Sequence, residues 1–255
     1  MKKADICLIA LLILLVPAGW SNSETEPGVL ASFTVVSTEK TTPELTEAPE
    51  SESRQVEVAI YAKVSEKSLL GEYTYSDYVI KDNGQILQFT QYQSQYGKKQ
   101  AIETTYLEYN DEGQLISKKE VSRYGYDQTN YIYNKDGLVE REYSTSDFSI
   151  QNGNEFVYTY TFDQKGRIET KKAKNVNSDY WLEYSYIYNN DGLIERERQH
   201  SKNSTYIIYY IYDEHGNPIE EHVSELNNPT NGWVNYYTYA CIGTYTIYEP
   251  ESVDN

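Results

Sequence analysis

Three histidines, His200, His215 and His222, and two cysteines, Cys7 and Cys241, are the only imidazoles and thiols in the sequence. His215 falls in a predicted turn and His222 on the strand after it, with Asp213 and Glu220 nearby. A closed zinc site asks for four such ligands, and a turn histidine is more often simply solvated, so no metal site is expected. The chain has no Gly-x-Ser-x-Gly elbow, phosphate-binding loop or His-Glu-x-x-His pair. Carboxylates are plentiful, but Glu140 and Glu195 recur at matching places, as a solvated structural face does and a catalytic pair does not. Asp136 and Asp191 are explained by turn chemistry without calcium. No catalytic residue and no cofactor is therefore assigned, and the chain reads as a non-enzyme. What remains is aromatic: 28 tyrosines. Tyrosine and tryptophan offer rigid, amphipathic contact area suited to a glycan or a protein surface. Trp181, Tyr206, Trp233 and Tyr236 are the candidate binding aromatics, although cross-strand packing would use the same side chains.

The elements that carry these residues repeat. An aromatic-x-aromatic-Asn/Asp-x-x-Gly phrase ends at Gly113, Gly137, Gly166, Gly192 and Gly216, with eroded copies at Gly84 and Gly243. Successive glycines lie 29, 24, 29, 26, 24 and 27 residues apart, a period that marks a repeat architecture. Asn134, Asp163, Asn189 and Asp213 stand where a side-chain oxygen can close a type I turn, and the glycine supplies the positive φ of a bulge. Before each turn the residues alternate with period two, as in Phe156, Tyr158, Tyr160 and Phe162; after it comes a shorter charged strand. The expected fold is all-β: an antiparallel sheet of about seven tandem hairpins, forming a twisted or curled strip.

The phrase is similar to the YD repeat of the RHS family, most clearly at Tyr212-Asp213-Glu214-His215-Gly216 and Tyr133-Asn134-Lys135-Asp136-Gly137. The resemblance covers about Gly71 to Glu249 and implies a hairpin-strip fold with a surface or extracellular role. Repeats this few cannot enclose a cargo as the large members do. The single stretch Asn231-Gly232-Trp233-Val234-Asn235-Tyr236-Tyr237 also resembles the cell-wall-binding repeats that take choline or glucan.

Compartment and partners follow from the ends and the charge. Lys2 and Lys3 precede an apolar run from Ile6 to Val16, broken by Pro17, Ala18 and Gly19. That run is about half of a roughly 20-residue membrane span, so residues 1–20 read as a signal peptide. Residues 21–55, rich in Ser, Thr, Glu and Pro, read as a disordered linker, 56–250 as the repeat domain and 251–255 as a tail. Cleavage leaves Cys241 alone, so no internal disulfide is expected. A net charge of -17 disfavours nucleic acid and anionic lipid. The reading is a secreted or surface-associated module, not inserted in the membrane after cleavage, that binds a cell-wall or extracellular glycan or a surface protein. The alternative is a scaffold that self-associates through its unpaired end strands.

Overall fold

The computed structural model describes residues 37–38, 53–95, 98–147 and 153–250. The segments read as a signal peptide and a tail, and most of the one read as a linker, lie outside the described residues. Every element is a strand: β1 (Ser37–Thr38), β2 (Ser53–Ser68), β3 (Gly71–Ile80), β4 (Ile86–Gln95), β5 (Lys98–Tyr109), β6 (Leu115–Ser122), β7 (Gly125–Tyr133) and β8 (Val139–Ser146). There follow β9 (Glu155–Phe162), β10 (Ile168–Asn175), β11 (Trp181–Tyr188), β12 (Ile194–Ser201), β13 (Thr205–Tyr212), β14 (Pro218–Glu225) and β15 (Asn228–Pro250).

The sheet is all-β, as the alternation predicts, but it is not an open strip of seven hairpins. Each strand from β2 to β15 pairs with its sequence neighbours, and β15 returns to pair with β2 over Ser53 to Lys67, while β2 also pairs with β3. The result is a closed barrel of fourteen antiparallel strands, with β1 laid beside β2 at Val58 and Glu57. The even strand number lets the two ends of the meander meet antiparallel. Closure removes the free edges that a strip would expose. Backbone pairing between β2 and β3 spans Ser65–Ser68 against Gly71–Thr74, and side chains extend the seam. The Tyr75 hydroxyl donates to Glu66 at 2.8 Å, and the Tyr78 hydroxyl donates to the Lys63 carbonyl.

The tight turns share one construction. At Asn134–Leu138 the Gly137 N–H donates to the Asn134 carbonyl, and the Asn134 N–H donates to the Leu138 carbonyl. Asn134 Oδ1 meanwhile accepts from the Asp136 and Leu138 amides, holding the turn open to solvent and closed to disorder. Asp163, Asn189 and Asp213 accept from their own turns in the same way. Gly137 has φ +77° and Gly192 φ +84°, which a Cβ tolerates poorly. Gly243 departs from this set. It lies inside β15, paired with Ile60 at a register shift, and closes no turn. There the chain runs on as one long strand because β2 accepts it for its whole length.

Three residues past each turn glycine the strand carries one unpaired extra residue: Glu140 is skipped between the Tyr133–Val139 and Ile132–Arg141 pairs, and Glu195 likewise between β11 and β12. The carbonyl just before the extra residue is then taken by a tyrosine from the following hairpin. Tyr109 donates to Ile86, Tyr133 to Leu115, Tyr160 to Val139, Tyr188 to Ile168 and Tyr212 to Ile194, at 2.7–3.1 Å. Each hairpin is thereby fastened to its predecessor.

Past their pairing with β3 and β14, β2 and β15 run on side by side, with Val56, Val58 and Ile60 of β2 buried. The Tyr245 ring lies on the turn at Gly84, so close that a Cβ there would stand 2.6 Å from it. The Tyr61 and His215 rings meet at 4.7 Å on the other side.

Two substitutions check this construction by urea unfolding. Tyr133→Phe is expected to cost about 1–3 kcal/mol, because a bulge carbonyl loses its donor. Gly192→Ala, whose methyl would meet nothing within 4 Å, is expected to cost about 1–2 kcal/mol from backbone conformation alone. Gly84→Ala should cost distinctly more, and equal losses at the two glycines would show that Tyr245 is not seated on the rim.

Candidate functional site

The extra residue after each turn inverts the alternation, and the inversion decides what faces inward. Val139 and Glu142 both point into the barrel, while Glu140 and Arg141 are exposed on the outer wall. The fifth residue past the glycine therefore faces the interior in successive hairpins. It is Lys118, Glu142, Lys171, Glu197 and Glu221, and each is paired with the inward residue six before its glycine: Leu107, Tyr131, Tyr160, Tyr186 and Tyr210. The barrel interior thus carries a girdle of charge set among tyrosines. Lys63 and Glu66 of β2 complete it at the seam, 2.6 Å apart.

Each buried carboxylate is met by donors. Glu197 Oε1 accepts from Gln199 Nε2 at 2.8 Å and Oε2 from the Tyr210 hydroxyl at 3.3 Å. Glu221 accepts from the Tyr237 hydroxyl at 2.6 Å and from Asn235 Nδ2 at 2.9 Å. Glu142 is hydrogen-bonded by Tyr158. Burial nevertheless dominates. It pushes the Glu197 carboxyl up to about 7 against the pull of Gln199, Lys171 and Tyr210, and it raises Glu142 and Glu221 as well. Glu103, paired with Ser122 and diagonal to Glu120 on the neighbouring strand, is also pushed up to about 7, first by burial and then by Glu120. Lys171 moves the other way: burial lowers it while Glu197 and Glu142 hold it up. Its ammonium lies 4.4 Å from the Tyr184 ring centre and 5.6 Å from that of Tyr158.

The aromatics singled out from the sequence do not form one face. Tyr206 and Trp233 point inward and pack edge to face, with ring centres 6.0 Å apart. Tyr236 points outward and is 46% exposed. Trp181 is on the outer wall, paired with Lys174 and set edge to face against His200 at 5.1 Å. The register separates them: Trp233 and Tyr236 are an odd number of residues apart on one strand. Sequence reasoning missed Glu142, Glu197, Glu221 and Lys171. Their signal was the recurring charge five past each glycine, hidden because strict alternation puts Glu142 on the same face as Glu140. His215 and His222 lie near single glutamates, Glu214 and Glu220, and no group of three metal ligands occurs among the described residues.

A groove opens on the outer wall, across β5, β6 and β7. It has a volume of about 490 Å³ and is lined by Tyr106, Glu108, Ser117, Lys119, Val121 and Gln128. Tyr106, 43% exposed, stands beside Lys119 across the β5–β6 pair. Gln128 Nε2 donates to Ser117 Oγ at 3.0 Å, and the Lys119 ammonium lies 4.4 Å from the Tyr126 ring centre.

No family model and no curated protein matches the chain. Among solved structures it is similar to a porin-like protein from Bacteroides uniformis, with 14% identity and a TM-score of 0.39 over 70% of this chain and 97% of that one. A porin-like protein from Bacteroides vulgatus gives 16%, 0.35, 70% and 98%. The TcdB2-TccC3-Cdc42 complex gives 12% and 0.29 over 80% of this chain and 12% of that chain. Likenesses this loose carry no functional argument. The link to the YD-repeat family is distant at most, and the reading of the chain as a string of YD repeats is not supported.

The raised carboxyls set a direction for stability. Glu197 titrates from the ordinary 4.5 in the unfolded chain to about 7 in the folded one, so between those values the folded state holds more protons. Stability therefore falls as pH rises through that window and levels off above it. Thermal unfolding should show a higher Tm at pH 5 than at pH 8, and Glu197→Gln should reduce the difference, the rest coming from Glu103, Glu142 and Glu221. A pH profile identical in the variant would show that the carboxyl titrates normally.

Proposed function

We propose that this chain is a non-enzymatic module that works in water outside the cell or at its surface, and binds a glycan on its outer wall. The observation that carries the reading is the β5–β7 groove. It places an exposed aromatic plate, Tyr106, beside a carboxylate, an amide, a hydroxyl and an ammonium from Glu108, Gln128, Ser117 and Lys119. A sugar offers the complement: an apolar face for the ring and hydroxyls that both donate and accept.

Charged side chains on the outer wall, which also exposes Ile132, Val157, Ile187 and Ile211, support a barrel standing in water. Arg141, Lys172 and Lys174 are exposed on it, with Glu155 and Glu183 paired to the first two. Each Arg or Lys on a lipid-facing wall would cost roughly 2–4 kcal/mol at mid-bilayer. The scaffold reading loses its basis with closure, since the end strands β2 and β15 are paired to each other.

Screening the folded barrel on a glycan array, then titrating the best binder, tests the assignment. Tyr106→Ala should weaken binding about tenfold, as loss of roughly 1–1.5 kcal/mol of aromatic contact implies, while Tyr236→Ala leaves it unchanged. Absence of any glycan binder, or equal loss in both variants, would refute the groove.

A further inference from the structure

The outer wall at β12 carries two arginines that the barrel itself leaves unpaired. Arg196 and Arg198 lie two residues apart on that strand and face outward, on either side of the inward, buried Glu197. Elsewhere the protein engages its arginines. Arg141 is paired with Glu155 and Arg167 with Asp163, and Arg123 donates to the Tyr124 hydroxyl. Among the described residues, Arg196 and Arg198 make no ion pair and no side-chain hydrogen bond. The carboxylates around them do not supply one. Glu183, one rung along, is held by Lys172 at 3.4 Å, and Glu220, two strands away, by His222 at 2.8 Å. Glu195, the unpaired bulge residue before Arg196, joins neither arginine. In a chain with a net charge of -17, two adjacent cations without a partner stand apart.

Apolar side chains flank the pair. Ile187 of β11 and Tyr209 of β13 are the cross-strand neighbours of Arg196, and each is 45% exposed. Ile207 is the β13 neighbour of Arg198, and Ile211 is exposed one rung past Tyr209. Neighbouring strands lie about 4.8 Å apart and alternate residues of one strand about 6.8 Å, so these side chains form one continuous patch. Arginine set among aliphatic and aromatic groups is the composition of a protein interface. Branched isoleucines offer a sugar ring no flat plate to stack on, but they pack well against the aliphatic side chains of a polypeptide.

We propose that the outer wall around Arg196 and Arg198 docks an extended acidic segment of a partner polypeptide. Alternate residues of an extended segment recur at about 6.8 Å, the spacing of the two arginines. A segment running along β12 therefore sets two carboxylates against two guanidinium forks, each able to accept paired hydrogen bonds. Apolar residues beside those carboxylates meet Ile187, Ile207, Tyr209 and Ile211. At physiological ionic strength a charge is felt over about 8 Å, so the segment meets these arginines rather than carboxylates farther round the barrel. The patch shares no residue with the β5–β7 groove.

Fluorescence anisotropy on the folded barrel at physiological ionic strength tests it, with a labelled peptide Leu-Thr-Glu-Thr-Glu-Thr-Leu as probe. The expected result is saturable binding that the same peptide with lysine in place of glutamate does not show. Arg196→Gln and Arg198→Gln should each weaken binding about fivefold, as loss of one exposed ion pair implies, and Ile187→Ser should weaken it too. The glutamine variants alter only outward side chains, so they report even where Ile187→Ser fails to fold. Arg141→Gln, on the same wall but already paired, and Tyr106→Ala, in the groove, should leave binding unchanged. No binding of the acidic peptide, equal binding of the lysine peptide, or equal loss with Arg141→Gln would overturn the proposal. So would capture of polygalacturonate or of phosphatidylglycerol vesicles through Arg196 without the peptide, which would give this face to a polysaccharide or a membrane.

Discussion

The hydrogen bond from a tyrosine hydroxyl to a bulge carbonyl is the constraint on which this barrel depends. An extra residue after each turn takes a carbonyl off the sheet ladder, and a buried carbonyl without a donor costs about 1–3 kcal/mol. Tyrosine from the next hairpin reaches it and settles the cost. The reach fixes the stagger between consecutive hairpins, because a one-residue slip would send the ring to the outer wall. Phe162 is the informative exception. It occupies the place where Tyr109, Tyr133, Tyr188 and Tyr212 bond, it lacks the oxygen, and Tyr160 two residues earlier makes the bond instead.

The same bulge turns an ordinary alternating strand into one with a charged interior. Burying Glu142, Glu197 and Glu221 would be prohibitive in an aliphatic core, yet tyrosine hydroxyls, amides and the lysines Lys63 and Lys171 surround them. The interior is correspondingly poor in large aliphatic clusters. Among the described residues apolar groups gather around Ile86 and Leu115, around Phe156 and Ala173, and around Ile208 and Val223. Tyrosine suits such a place because its ring packs while its oxygen bonds.

Local structure was legible in the sequence and global structure was not. The turns at Gly137 or Gly192 show themselves through Asn, Asp and Gly at fixed offsets, and the strands through aromatic alternation. Closure rests on one long-range pairing of β2 with β15, and nothing in Val56–Lys67 or Tyr236–Ile247 distinguishes a partner far along the chain from a solvent-facing edge. Gly243 was misread for the same reason: its neighbourhood resembles a turn until a long strand pairs beside it. The binding aromatics suffered from the register. Trp233 and Tyr236 are close in sequence and chemically alike, and only the strand geometry sends one inward and the other out.

Closure also gives the two faces different physics. On an open strip Tyr106 and Tyr131 would sit in equivalent solvent, and aromatic richness would by itself suggest a binding surface. In the barrel Tyr131 is 6% exposed and burial drives its hydroxyl far from ionisation, while Tyr106 stays half open beside Glu108 and Lys119. A polar group on the outer wall exchanges its partners for water at little cost. One in the interior must keep its partners. The abundance of tyrosine is therefore mostly a consequence of how the wall is fastened.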